Sequence, residues 1–280
     1  MRILEPLILG AVQGITEFLP ISSSAHLDIV PVLLGWPKPG AAFTAVIQLG
    51  TLAAVFAAFA RDIAHTLTGA WKAFRNGERQ APEVRLLLAV VLGTIPIGVL
   101  GLLFKDWIEG PLHNLWINAG MLVVMGIALA LADKFARHAR GLETVTVRDG
   151  LVVGAAQAIA LIPGASRSGS TLVGAYLTGL DRAAAVRFSF LLSLPAVLLS
   201  GLFELKGLRE AKAADVAAGG VVWADSEIVL ATVVAGLVGY ACIAWLLRYL
   251  AKHTALAFVI YRILLGAVLA VLLATGRIAP

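Results

Sequence analysis

The feature that most constrains this chain is a series of six apolar runs, each long enough to cross a lipid bilayer as a helix. The hydrocarbon core of a bilayer is about 30 Å thick, which corresponds to about 20 residues in helical form. Since backbone polar groups find no water there, apolar runs of this length must be helical. The six predicted spans are residues 43–60, 86–104, 115–132, 186–203, 228–247 and 255–276. The sequence therefore predicts an all-α, polytopic membrane protein.

Composition supports this class and excludes others. Hydrophobic residues make up 60% of the chain, charged residues 14%, and the mean hydropathy is +0.91. These values lie well outside the range of soluble domains. The net charge of +5 comes from basic segments between spans, so it indicates membrane topology rather than a nucleic-acid partner. Segments 61–85 and 204–227 are predicted to be polar loops. We expect the lipid bilayer as a partner and no organic cofactor; a homodimer is left open.

Two further pairs of apolar segments are too short to span. Residues 7–19 and 27–36 are separated by Pro20 and a run of serines, and residues 151–162 and 172–180 are separated by Pro163 and another polar stretch. Non-helical backbone at membrane depth is tolerated where protein surrounds it. Each pair is therefore predicted to be a re-entrant helix–loop–helix element.

The two re-entrant elements resemble one another in sequence. GAVQGI at 10–15, followed by Pro20 and SSS at 22–24, lines up with GAAQAI at 154–159, followed by Pro163 and SRS at 166–168. Three spans follow each copy, so the copies enter from opposite faces of the membrane. This pattern predicts an inverted-topology repeat, residues 1–132 and 150–276, within one integral membrane domain of residues 1–280. Small residues spaced by four in both copies predict that these two helices approach each other closely.

The second loop carries a cation in an apolar setting. Arg167 lies in PGASRSGST at 163–171, and the apolar segments on both sides contain no charged residue. An unpaired cation there is costly, and the neighbouring Ser166, Ser168 and Thr171 offer hydroxyl donors. An arginine fork, hydroxyls and glycine backbone N–H groups together are typical of a phosphate site.

The first loop adds acid–base chemistry. Gln13 and Glu17 are four residues apart and share a helix face, with His26 after the serines. Beside a phosphate, Glu17 must be protonated, paired with Arg167 or His26, or bridged by a divalent cation. Candidate phosphate contacts are Ser22, Ser23 and Ser24, one of which is a candidate nucleophile with His26 as its base.

A bound metal is also possible at this loop. Glu17 and His26 are too few ligands for a zinc enclosed by protein. A hard cation, Mg²⁺ or Ca²⁺, shared between Glu17 and substrate oxygens fits better.

Three motifs carry a resemblance to a known family. QxxxE at 13–17, SSSAH at 22–26 and PGASRSGST at 163–171 resemble the bacterial undecaprenyl pyrophosphate phosphatase family, also called the bacitracin-resistance family. GTIP at 93–96 and YRI at 261–263 are similar to it as well, so the resemblance covers the chain. Gln13 stands where the family often has Glu, and Ala25 where Gly is frequent.

The resemblance implies a reaction and the residues that carry it out. The expected activity is hydrolysis of the terminal phosphate of undecaprenyl diphosphate, a polyprenyl lipid carrier of peptidoglycan synthesis. Expected catalytic residues are Glu17, Ser23, His26 and Arg167. Phosphate contacts are expected from Gln13, the remaining loop serines and Thr171.

An inverted repeat with broken helices is also transporter architecture, so the alternative is a flippase of the lipid carrier, acting by transport alone or in addition to hydrolysis. The basic segments collect thirteen Lys and Arg on one face against seven on the other. The positive-inside rule then places both chain ends outside the cytoplasm. With the resemblance, we expect a bacterial inner-membrane protein whose site opens to the periplasmic face.

Overall fold

The chain is almost entirely helical. A computed structural model of the protein describes residues 3–112, 114–217 and 221–278, and no β-strand forms within these ranges. In chain order the helices are α1 (Leu4–Phe18), α2 (Ser23–Leu34), α3 (Ala41–Ala58), α4 (Ala60–Arg75), α5 (Pro82–Leu103), α6 (Lys105–Glu109), α7 (Leu115–Phe135), α8 (Val147–Ala158), α9 (Arg167–Leu177), α10 (Arg182–Ala217), α11 (Asp225–Leu250) and α12 (Leu256–Ala274).

Six of the described helices are long and apolar enough to cross a membrane. They are α3, α5, α7, the part of α10 up to Leu208, α11 and α12. Each contains one of the six runs identified in the sequence, apart from a few residues at the ends. The predicted all-α polytopic class and the six spans are therefore confirmed, and the protein is a multi-pass membrane protein.

The short helices form two pairs, each joined by a short loop. α1 and α2 are joined at residues 19–22, and α8 and α9 at residues 159–166. α8 starts at a reciprocal cap, in which the side chains of Thr146 and Asp149 each bond the other's backbone N–H. Four helices of 11 to 15 residues are too short to span, which is consistent with two re-entrant elements. The re-entrant path itself stays a prediction.

Two segments predicted as loops contain helix. Residues 60–75 form α4, because apolar residues recur at helical spacing from Ile63 through Leu67 to Trp71 and Phe74. The last three of these side chains are exposed. α10 continues to Ala217, since residues 205–217 are rich in Leu, Ala, Lys, Arg and Glu, all good helix formers. Polarity alone was a poor guide to loops here.

The two glycine-bearing short helices do not pack on each other, contrary to the sequence prediction. α1 packs against α11, and α8 packs against α5. A Cβ added to Gly10 would collide with the backbone of Ala231, and one added to Gly154 with the backbone of Gly93. Glycine is thus needed because each short helix lies directly on the backbone of a span from the other half.

Each half of the chain packs on the other half through equivalent helices. α1 on α11 corresponds to α8 on α5, and α3 on α11 corresponds to α10 on α5. α7 against α12 pairs the last span of each half. These pairings are consistent with the inverted repeat, which stays a prediction along with its bounds of 1–132 and 150–276.

Polar contacts tie the interhelical segments together at each end of the bundle. At one end, Asp133 accepts hydrogen bonds from Arg182 Nε at 2.8 Å and from the Ala255 backbone N–H at 3.0 Å. At the other end, the Asp215 carboxylate accepts from the N–H of Ala42 at 3.1 Å, and Trp223 donates to Pro39 O at 2.8 Å. The basic segments 61–85, 133–150 and 181–187 therefore share one end, a grouping that Arg85 supports by donating to the Glu143 carbonyl.

Candidate active site

The two broken elements meet at an ion pair. Arg167, the first residue of α9, contacts the carboxylate of Glu17, in the last turn of α1, through Nη2 and Oε1. The Glu17 side chain is 8% exposed and that of Arg167 is 22% exposed. The sequence leaves Glu17 protonated, paired with Arg167 or His26, or bridged by a cation. The structure contains the pairing with Arg167.

Glu17 also gathers the polar groups of its own loop. The Ser23 hydroxyl donates to Oε2 at 2.7 Å, and the Gln13 side-chain amide donates to the same oxygen at 3.2 Å. A hydroxyl that donates to a carboxylate has the geometry of a nucleophile beside its base. Gln13 is buried, and its own Oε1 has no hydrogen-bond partner within the described structure.

The loop backbones repeat one another closely. Ser22 and Ser166, the residues just before α2 and α9, have positive φ angles of 74° and 71°. In each loop this serine lies 3.1 Å, hydroxyl to hydroxyl, from the serine two residues on, Ser24 or Ser168. Non-glycine residues with such φ cost energy and occur at functional sites that the surroundings hold in place.

The second loop is also fastened to the first. The Ser168 hydroxyl donates to the carbonyl of Leu19 at 2.9 Å, and the Ser166 hydroxyl accepts from the Gly169 backbone N–H at 3.2 Å. Thr171 Oγ1 donates to the Arg167 carbonyl at 2.9 Å, one turn earlier in α9. Of the hydroxyls predicted around Arg167, Ser168 and Thr171 line a cavity beside it.

His26 lies apart from this cluster. Its Nδ1 is 2.6 Å from the Ser22 carbonyl oxygen, so Nδ1–H donates there, and Nε2 is 2.7 Å from the Tyr261 hydroxyl. The two rings are stacked with centroids 5.6 Å apart. Among the described contacts His26 makes none with a serine hydroxyl, so its predicted pairing as base for a loop serine is not present here.

Arg262 connects both loops and was given no role from sequence. This side chain is fully buried in α12 and donates to five backbone carbonyls. They include Pro20 O at 3.0 Å in the first loop, and Gly164 O at 3.0 Å and Ala165 O at 2.9 Å in the second. The sequence contained a signal, because Arg262 is the one charge in an apolar span.

A cavity opens beside the ion pair, between α3 and α10. It contains about 400 Å³ of space free of protein atoms, part of it open to the outside. Sequence reasoning missed three of its hydroxyls, Thr51, Ser189 and Ser193, because nothing in an apolar span marks a serine as facing a site. The lining consists of Glu17, Phe18, Thr51, Val55, Arg167, Ser168, Thr171, Ser189, Phe190, Ser193, Leu194 and Val197.

The site offers few ligands for a metal. No group of three or more His, Cys, Asp or Glu side chains that could hold one occurs among the described residues. Glu17 with the unpartnered Gln13 Oε1 provides two hard oxygen donors. A Mg²⁺ or Ca²⁺ ion would have to take its other ligands from a substrate or water, and the cation expected at Glu17 stays a prediction.

Fold and site together define a multi-pass membrane protein with an arginine, a carboxylate and hydroxyls at the junction of two broken helices. The family model of the bacitracin resistance protein BacA matches residues 6–268. The chain therefore belongs to the BacA family.

Similar proteins match along the whole chain. An undecaprenyl-diphosphatase of Myxococcus xanthus is 49% identical over 284 residues, covering 100% of this chain and 92% of that protein. An undecaprenyl-diphosphatase of Micrococcus luteus is 49% identical over 282 residues, covering both chains completely. Undecaprenyl-diphosphatase 2 of Streptomyces avermitilis is 47% identical over 289 residues, covering 99% of this chain and 96% of that protein.

Proposed function

We propose that this protein is an undecaprenyl-diphosphatase, which hydrolyses undecaprenyl diphosphate to undecaprenyl phosphate and inorganic phosphate. The observation that carries this is the cluster of Arg167, Glu17 and Ser23 at the junction of the two loops. It combines a phosphate-binding fork, a base and a hydroxyl inside a membrane protein. The names of the relatives supply the lipid and the reaction.

The reaction needs charge stabilisation on the transferred phosphoryl group. Arg167 binds its equatorial oxygens through two N–H groups, which a point charge cannot do. Binding exchanges the Arg167–Glu17 ion pair for an arginine–phosphate pair. The Glu17 carboxylate is then free to accept a proton.

Ser23 is the proposed nucleophile. Its hydroxyl already points at Glu17 Oε2, 2.7 Å away. Attack of Ser23 Oγ on the terminal phosphorus forms the Ser–O–P bond and breaks the bridging P–O bond, while Glu17 takes the hydroxyl proton. Undecaprenyl phosphate leaves with the bridging oxygen. Water then attacks the phosphoserine and breaks the Ser–O–P bond, while Glu17 returns its proton to Ser23 Oγ. The water oxygen leaves in inorganic phosphate, and the surplus proton passes to phosphate or solvent.

His26 has a positioning role in this scheme. Its bonds to the Ser22 carbonyl and Tyr261 hydroxyl fix the start of α2, one residue before Ser23. A divalent cation, when bound, supplies further charge neutralisation, and Glu17 and Gln13 Oε1 would hold it.

The site opens to the periplasmic face of the bacterial inner membrane. Basic segments that share one end of the bundle carry most of the positive charge, which favours the cytoplasm for that end. α1 and α2 then enter from the outer face and bring Glu17 and His26 with them.

The test is phosphate release by the purified protein in detergent, with undecaprenyl and farnesyl diphosphates, with and without a chelator. We expect phosphate release from both substrates, because hydrolysis in detergent micelles does not require a bilayer. A protein that only transports the lipid would release none, because detergent leaves no sides to transport between. Recovery of phosphate on Ser23 by mass spectrometry after rapid quenching would distinguish the covalent route from direct attack by water.

A further inference from the structure

One wall of the cavity carries hydroxyls that the chemistry at Glu17 and Arg167 does not use. Ser189 and Ser193 lie one turn apart on α10 and line the cavity together with Arg167. The Ser189 residue is 3% exposed, and its hydroxyl has no hydrogen-bond partner among the described residues. A buried hydroxyl without a partner costs free energy unless a ligand or water satisfies it.

Ser193 has a second polar group behind it. Its hydroxyl donates to Gln157 Oε1 at 2.9 Å, while Gln157, fully buried in α8, leaves its Nε2 without a partner within the described structure. A half-turn of the Gln157 amide makes Nε2 the donor to Ser193. The Ser193 hydroxyl is also 2.8 Å from the Ser189 carbonyl oxygen, to which it donates one turn earlier in the helix. Once Gln157 Nε2 donates to the Ser193 oxygen, the Ser193 proton can turn from that carbonyl to a phosphate oxygen in the cavity.

A diphosphate requires two sets of donors. Arg167, Ser168 and Thr171 line the cavity at the loop junction and suit the phosphate under attack. The phosphate that stays on the lipid has its own oxygens and lies one P–O–P bridge further along. Phe190, Leu194 and Val197, on the same helix as the two serines, give this part of the cavity an apolar wall for the first isoprene unit.

Given the proposed function, we infer that Ser189 and Ser193 form a subsite for the lipid-linked phosphate, with Gln157 positioning Ser193. The subsite recognises a phosphate monoester attached to an isoprenoid chain. It therefore binds both the inner phosphate of the substrate and the only phosphate of the lipid product.

The probe is farnesyl monophosphate, which has the lipid-linked phosphate and no terminal one. Its binding to the full-length protein in detergent is measured by calorimetry, and as inhibition of farnesyl diphosphate hydrolysis. Ser189→Ala and Ser193→Ala should each weaken it about ten-fold, the size expected for a lost hydrogen bond to a charged group. Binding of inorganic phosphate, which needs only the Arg167 end, should not change, and KM should rise more than kcat falls.

The variants come with matched controls. Ser200→Ala removes a hydroxyl from the same helix outside the cavity lining and should bind farnesyl monophosphate as the wild type does. Ser193→Thr keeps a hydroxyl and should retain most of the affinity. Gln157→Leu should reproduce the effect of Ser193→Ala.

Unchanged affinity for farnesyl monophosphate in both alanine variants would overturn the subsite and mean that these hydroxyls bind water only. An equal loss for inorganic phosphate and farnesyl monophosphate would also overturn it. Failure of the proposed function gives a different result. In that case the wild type binds the monophosphate through Ser189 but releases no phosphate from the diphosphate. The subsite would then stand, and the phosphatase activity would be refuted.

Discussion

At the scale of single residues, the pairing of Arg167 with Glu17 is central. Each side chain alone would be an isolated charge among apolar helices, and each neutralises the other. Because the pair is made across two separate loops, it also holds the junction together. A phosphate that displaces Glu17 from Arg167 offers the arginine two acceptor oxygens in return.

Arg167→Lys should therefore reduce phosphate release by at least about 100-fold, the size typical for loss of one donor to a developing charge. Arg167→Ala should abolish it. The measurement is kcat/KM with purified protein at matched folding, judged by thermal unfolding. Near-normal turnover in the lysine variant would show that Arg167 contributes only bulk positive charge.

Glu17→Gln keeps the size of the side chain and loses the ability to accept the Ser23 proton. We expect most of the activity to disappear at every pH, while Gln13→Glu is tolerated or makes activity more dependent on a divalent cation. Activity across pH with and without chelator checks both variants. Full activity of the Glu17→Gln variant would show that Glu17 is not the general base and would assign that role to His26.

At the scale of elements, the polar segment before α8 depends on one ion pair. Arg140 donates to Asp149 Oδ1 at 2.9 Å and Oδ2 at 2.7 Å, in the segment joining the two halves of the chain. Burial alone would raise the pKa of Asp149, but hydrogen bonds from Arg140 and Thr146 outweigh it and hold that pKa below its usual range. A depressed acid pKa stabilises the fold above the unfolded value and stops doing so as pH falls through the folded value.

Arg140→Gln should then destabilise the protein by about 1–2 kcal/mol at neutral pH, since the pair is partly exposed. The difference from wild type should begin to shrink as pH falls below about 4, the ordinary pKa of an aspartate, and should vanish only below the depressed pKa of Asp149 in the wild type. Thermal unfolding in detergent at several pH values measures this. Lys212→Gln, which breaks the exposed pair between Lys212 and Asp225, is the control and should show almost no difference at any pH.

The helical elements show where sequence patterns were sufficient. Long apolar runs locate spans because the bilayer permits no other backbone structure there. For amphipathic α4 and the polar end of α10 the sequence pattern wrongly predicts loops, because a helix beside a membrane needs neither a long apolar run nor low charge. The partners of Gly10 and Gly154 were also misassigned, since a small residue shows that something lies close without showing what.

At the scale of the whole molecule, sidedness is the main prediction. Single cysteines at Lys38→Cys, Gly110→Cys and Gly77→Cys, in a Cys242→Ser background, all replace exposed residues. An impermeant thiol reagent added to intact cells should label the first two positions and miss Gly77→Cys. Labelling of Gly77→Cys alone would invert the topology and place the site on the cytoplasmic side; lysed cells, where all three should react, are the control.

The sequence by itself determined the class of the protein, its six spans, and the two polar loops that carry Glu17, Ser23 and Arg167. Those features depend on local composition, because an apolar run in the bilayer core must be helical to satisfy its backbone hydrogen bonds. Only the tertiary structure decided that Glu17 pairs with Arg167 rather than His26, and that His26 turns to Tyr261. It also decided that Arg262 fastens both loops and that Ser189 faces the cavity, because contacts between residues far apart in the chain depend on how the spans pack.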